Sequence, residues 1–152
     1  MIPVHWAGSS PAMEKITEIC NQFNLFLIED ACMGIGASIA GQSAGTFGEI
    51  NAFSMHPLKS LNVMGDGGMV LTNNAEHASW MLKYRNHGMI DRDNIEFWGV
   101  NMRLQPLQAI VASFGLDKLG DVLNKRRANA RQLDNALSKL IEAGHLDLPR
   151  RV

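Results

Sequence analysis

The chain has 152 residues, 46% of them hydrophobic, enough for one domain with a real core. Its formal net charge of −1 gives no broad attraction to nucleic acid or anionic lipid, so neither is an expected partner. No window approaches the ~18 apolar residues of a membrane span and the start is not a signal peptide, so a cytoplasmic location is expected.

Residues 2–6 form a short β-prone run, ended by Ala7-Gly8-Ser9-Ser10. Ser10 is placed to cap a helix opening at Pro11. Met13, Ile16, Ile19, Cys20 and Phe23 recur at three- and four-residue spacing and mark its buried face. Asn24 ends it, and Leu25-Phe26-Leu27-Ile28-Glu29-Asp30 reads as a buried strand with a carboxylate at its end. Strand, helix and strand within about thirty residues make a βαβ unit with parallel strands.

Residues 31–48 are small and glycine-rich, which suits a loop with at most one helical turn. Strands are expected at 50–54 and 69–72, separated by the glycine turn Gly65-Asp66-Gly67-Gly68. Asn73 or Asn74 caps a helix carrying Ala78, Met81 and Leu82, and 86–103 is polar and irregular. Leu107, Ile110, Val111 and Phe114 give one amphipathic helix. A separate long helix is expected over about 120–143, with Val122, Leu133, Leu137 and Leu140 inside. Four strands with few helices are thin for an open parallel sheet, which normally has helices on both faces. The chain therefore reads as a piece of a larger α/β protein.

Two residues carry chemistry. Lys59 follows one apolar strand and precedes the glycine turn, while Asp30 ends another strand. A lysine amine can condense with an aldehyde, and a carboxylate can keep a pyridine nitrogen protonated. Pyridoxal phosphate (PLP) requires that pair. Rival signals are weaker. Cys20 and Cys32 lack framework or metal spacing and read as reduced thiols, and the five histidines lack zinc-site spacing. Gly34-Ile35-Gly36 is no dinucleotide fingerprint, since Ser38 and Ile39 follow where the third glycine belongs. Lys125-Arg126-Arg127 reads as a solvated helix face.

Six runs fall in a familiar order. They are Glu29-Asp30-Ala31-Cys32, Gly45-Thr46-Phe47-Gly48, Phe53-Ser54-Met55-His56-Pro57-Leu58-Lys59, Gly65-Asp66-Gly67-Gly68-Met69-Val70, Arg85-Asn86-His87-Gly88 and Gly99-Val100-Asn101-Met102-Arg103. Across almost its whole length the chain resembles the central segment of the DegT/DnrJ/EryC1/StrS sugar aminotransferases. That resemblance implies an α/β fold: part of the fold type I large domain, a mostly parallel sheet with flanking helices. Residues 1–119 would be partial large domain, and 120–152 a helix leading towards a C-terminal small domain.

The resemblance also implies roles. Lys59 matches the lysine that holds PLP and, once released, moves a proton between substrate and cofactor. Asp30 matches the carboxylate on the pyridine nitrogen, and Ser54 a hydroxyl on the cofactor phosphate. Asn101 matches an asparagine that reaches the phosphate of a neighbouring subunit, which implies a homodimer with shared sites. Met33 is a departure: the family usually has glutamine there, and a thioether is a poor hydrogen-bond partner for the cofactor ring.

The implied activity is transfer of an amino group from a donor such as glutamate to a keto sugar, nucleotide-linked, in surface polysaccharide or amino-sugar biosynthesis. Lys59 argues against the dehydratase branch, which carries histidine. The alternative is a truncated, non-catalytic fragment or interaction module derived from such an enzyme. A nucleotide-binding α/β domain fails for want of a phosphate loop. With the family's N-terminal phosphate-binding turn and small domain missing, the chain alone is expected to bind cofactor weakly and to be inactive.

Overall fold

In the computed structural model, which describes residues 1–148, a three-stranded sheet is followed by one long helix. Residues 149–152, the end of the expected 120–152 segment, lie outside the described residues. Helix α1 (Met13–Gln22) leads to strand β1 (Ile28–Asp30). A small hairpin follows, β2 (Ser38–Ile39) and β3 (Gln42–Ser43), then β4 (Ile50–Ser54) and β5 (Gly68–Leu71). Helices α2 (Ala75–Tyr84) and α3 (Pro106–Glu142) complete the order.

The sheet runs β1-β4-β5. β1 and β4 are parallel, with Glu29 opposite Asn51 and Asp30 opposite Ala52; β4 and β5 are antiparallel, with Ser54 opposite Gly68. The α/β class holds, and the sheet is mixed. Strand alternation sends Glu29, Asn51 and Phe53 to one face, and Asp30, Ala52 and Ser54 to the other. Leu27 belongs to the first face, where it packs with Met13 and Cys20 of α1 and with Phe47.

Several expectations need correction. The run 2–6 pairs with β1 in parallel through Asp30 N–H to Pro3 O and His5 N–H to Asp30 O, both 3.0 Å, but forms only one bridge, Val4 with Asp30. Its last residue instead begins a 3₁₀ turn, Trp6–Gly8, because the His5 side chain is drawn beneath the sheet. Helix α1 opens at Met13 with Ala12 at its cap, since the Ser10 hydroxyl is engaged by His5. Ile19 and Phe23, expected inside, are exposed, as are Leu25 and Phe26. The loop 31–48 holds the β2–β3 hairpin around Ala40-Gly41 instead of a helical turn.

The largest difference is α3, one continuous 37-residue helix where two were expected. Gly115 and Gly120 each cost about 1 kcal/mol of helix propensity, too little to break a helix packed on both sides of them. Ala112 and Leu119 join the cluster of Met55, Leu61, Val63, Ile35 and Leu104. A Cβ at Gly115 would fall 2.7 Å from Leu61 Cδ1, so glycine lets the helix approach this cluster. Leu133 and Leu140, expected inside, are exposed. Asn74 does cap α2, accepting from Glu76 N–H and His77 N–H.

Candidate active site

Because β1 and β4 are parallel, Asp30 and Ser54 leave the sheet at the same edge and on the same face. That edge is fixed from beneath by Glu29, which is fully buried. Glu29 Oε1 accepts from Phe47 N–H at 2.5 Å and Gly48 N–H at 2.8 Å. Its Oε2 accepts from Gly45 N–H at 2.8 Å and lies 2.7 Å from His5 Nε2. His5, equally buried, has its other ring nitrogen 2.9 Å from Ser10 Oγ. A carboxylate tolerates such burial only when its lone pairs are satisfied. Gly45, at φ 79°, makes this possible: a Cβ there would lie 2.1 Å from the Phe53 ring.

One residue on, the strand turns the Asp30 side chain to the opposite face, where Oδ1 accepts from Cys32 N–H at 3.1 Å. This is the local turn that aspartate forms readily after a strand. Ala31 N–H bonds Ala52 O at 2.9 Å, so the ladder runs right up to the turn.

Lys59 arrives on the loop after β4. Val63 N–H donates to Met55 O at 3.1 Å and closes the loop, and Lys59 N–H donates to His56 O at 2.9 Å within it. Met55, Leu61 and Val63 are buried against Ala112 of α3, so the loop is anchored on both sides of the lysine. A loop held to a rigid scaffold in this way presents its side chain from a fixed base.

Cys32 registers how close the two groups come. Burial pushes its thiol above the usual range, the Asp30 carboxylate pushes it further by hydrogen bond and by charge, and the Lys59 ammonium pulls it back. Asp30 is bonded to the Cys32 backbone N–H, and Lys59 lines the same cleft as Cys32. Cys32, Met33 and Lys59 line one open cleft of about 790 Å³.

The other predicted residues are placed differently. Ser54 stands at the end of β4, two residues past Ala52, and its Oγ accepts from His56 N–H at 3.2 Å. Asn101 lies away from the cleft lining, bridged to Asn86, with its Oδ1 accepting from Arg103 Nε at 3.1 Å. The structure thus gathers Asp30, Met33 and Lys59 around Cys32, sets Ser54 on the adjoining strand end and leaves Asn101 apart.

Two groups escaped the sequence reading. One is the Glu29–His5–Ser10 anchor; a glutamate next to a strand-end aspartate must alternate to the buried face, and that was the available signal. The other is the basic turn of α3. Arg126, Arg127 and Arg131 line the same cleft as Lys59.

Comparison with known proteins follows from this geometry. The family model for the DegT/DnrJ/EryC1/StrS aminotransferase family matches residues 1–151. The chain belongs to this family. It is 40% identical over 73% of its length to UDP-N-acetyl-3-dehydro-alpha-D-glucosamine 3-aminotransferase of Acidithiobacillus ferrooxidans, of which it covers 30%. It is 32% identical over 98% of its length to 3-oxo-glucose-6-phosphate:glutamate aminotransferase of Bacillus subtilis, of which it covers 34%. The crystal structure of NtdA from Bacillus subtilis with bound cofactor PMP matches it at a TM-score of 0.84 and 30% identity, covering 98% of this chain and 34% of that one. The chain therefore spans about a third of the length of each of these relatives.

As a DegT/DnrJ/EryC1/StrS chain it has the fold type I architecture of PLP-dependent aminotransferases. The residues present suit that cofactor chemically. Lys59 offers an amine with no acidic partner within ion-pair distance among the described residues. Asp30 offers a carboxylate engaged only by Cys32 among those same residues. Among the described residues no helix is long and apolar enough to cross a membrane.

Proposed function

We propose that this chain carries the cofactor-holding centre of a PLP-dependent sugar aminotransferase. The reaction moves an amino group from a donor such as glutamate to a keto sugar, nucleotide-linked, in amino-sugar or surface polysaccharide biosynthesis. One observation carries the reading: Asp30, from the end of β1, accepts from Cys32 N–H at 3.1 Å, and Cys32 shares a cleft with Lys59 from the loop after β4. The names of the relatives, one acting on a UDP-sugar and one using glutamate, support the substrate class.

When bound, PLP supplies an electron sink that lets a proton leave the carbon beside an amine. The chain's own residues do the rest. The Lys59 amine must give up its proton to bond the cofactor aldehyde, since a free lysine titrates near ~10.4. With PLP bound, the Lys59 amine would stay tethered by the 55–63 loop and could take a proton from the substrate carbon beside the amine and later give it back. Asp30 would hold the protonated pyridine nitrogen, and Glu29 beneath it keeps the strand end in place. Ser54 would hold the cofactor phosphate through its hydroxyl, and Met33 would pack against the ring. Asn101, outside the cleft, reaches a neighbouring copy, so the working unit is a homodimer with shared sites.

The test is to mix PLP with a full-length enzyme that carries this segment and follow the absorbance of the lysine-bound cofactor. The band is expected in the parent protein and absent in Lys59→Ala. A band unchanged by that substitution would overturn the reading.

A further inference from the structure

The cleft that Lys59 shares with Cys32 and Met33 has a second wall, formed by one face of α3. Gly36, at φ 80°, lies directly under that helix, and a Cβ there would fall 2.3 Å from Leu123 Cδ1. Leu123 therefore fixes which side of α3 meets the loop. Residues three, four, seven and eight positions later fall on that same side. They are Arg126, Arg127, Ala130 and Arg131, and all four line the cleft. Arg127 is held in place, donating from its guanidinium to Gly36 O at 3.0 Å.

The charge here is one-sided. The chain as a whole has a net charge of −1, yet the charged residues lining the cleft are Lys59, Arg126, Arg127 and Arg131, with no Asp or Glu. Among the described residues no acidic group pairs with Arg126 or Arg131. Unpaired guanidinium groups in a concave site focus potential and match phosphate oxygens with two parallel N–H bonds. Ser54, the hydroxyl assigned to the cofactor phosphate, comes from the end of β4, whereas the three arginines come from α3.

We propose that Arg126, Arg127 and Arg131 form an anion subsite that receives the phosphate or diphosphate of a phosphorylated sugar substrate. The existence of the subsite stands on the arginines alone; its assignment to the substrate rests on the aminotransferase reading. The carbonyl end of the sugar would then face Lys59 while its anionic end is held by α3.

Inorganic pyrophosphate and uridine diphosphate, titrated calorimetrically into the protein without cofactor, test this directly. The double variant Arg126→Gln/Arg131→Gln should weaken both by tenfold or more. The double variant Lys125→Gln/Lys139→Gln removes the same charge from helix positions outside the cleft and should bind as the parent does. PLP uptake is read in a full-length enzyme that carries this segment, where Lys59 should take up PLP equally with and without the arginine substitutions. Failure of the parent to bind either anion, or equal weakening in the lysine variant, would overturn the subsite. Loss of PLP uptake in the arginine variant with pyridoxal uptake unchanged would assign the arginines to the cofactor phosphate and overturn the substrate role. Absence of PLP on Lys59 in every protein, with anion binding intact, would instead remove only the aminotransferase reading.

Discussion

Asp30 and Lys59 act on one sulfur in opposite senses: the carboxylate raises the pKa of Cys32, and the ammonium lowers it. Asp30 comes from the end of β1 and Lys59 from the loop after β4, so this shared neighbour ties together two segments 29 residues apart in sequence.

That relationship can be read without any cofactor. Only the thiolate is alkylated, so the rate of iodoacetamide labelling at a fixed mildly alkaline pH follows the thiol pKa. Cys32 should label more slowly than an unperturbed thiol. Asp30→Asn removes a group that favours the protonated thiol and should speed labelling; Lys59→Gln removes a positive charge and should slow it. Peptide mass spectrometry separates Cys32 from the buried Cys20. Shifts in the reverse sense would contradict the placement of both side chains.

Glu29 should matter for stability more than its neighbour Asp30. Glu29→Ala strips the acceptor from three backbone N–H groups and from His5, all at the base of the site. Removing one member of such a buried pair costs about 3–5 kcal/mol. Urea denaturation should show a loss of that order, and Asp30→Ala a loss of roughly 1 kcal/mol or less. A Glu29→Ala midpoint equal to that of the parent would contradict the anchor.

Gly36 sets the distance between α3 and the loop beneath it. Gly36→Ala places a side chain in a left-handed conformation, at about 1–2 kcal/mol, and overpacks Leu123, at about 1–3 kcal/mol. In a Leu123→Ala background the overpacking share should vanish, leaving about 1–2 kcal/mol. Denaturant midpoints of the four proteins check this, and identical costs in both backgrounds would show that the helix does not rest on the glycine.

In a full-length enzyme that carries this segment, Asp30→Asn should leave PLP attached to Lys59 but slow single-turnover amino transfer. A charge-assisted hydrogen bond is worth about 1.5–3 kcal/mol, or roughly 10- to 150-fold in rate. Stopped-flow absorbance with the amino donor reads it. An undiminished rate would remove Asp30 from the cofactor.

The positions of Asp30 and Lys59 were legible in the sequence because they sit at chain punctuation: an aspartate where a strand stops, and a lysine between a strand and a glycine turn. The Asn74 cap and the apolar run around Leu27 were legible for the same local reason. What escaped depends on contacts distant in sequence. The continuity of α3 is decided by packing of Ala112 and Leu119 on the 55–63 segment, which outweighs two glycines. Ser10 gave up its cap to bond His5, whose burial is set by Glu29 across the sheet. Lys125, Arg126 and Arg127 are exposed, as a solvated face should be, and only the seat of Leu123 on Gly36 shows that this face borders the cleft.

The most direct test of the central claim is chemical mapping of the cofactor lysine. A full-length enzyme that carries this segment is incubated with PLP, reduced with borohydride and digested, and the labelled peptide is sequenced by mass spectrometry. The account predicts a single pyridoxyl label on Lys59, lost in Lys59→Ala. A label recovered on any other lysine would contradict it.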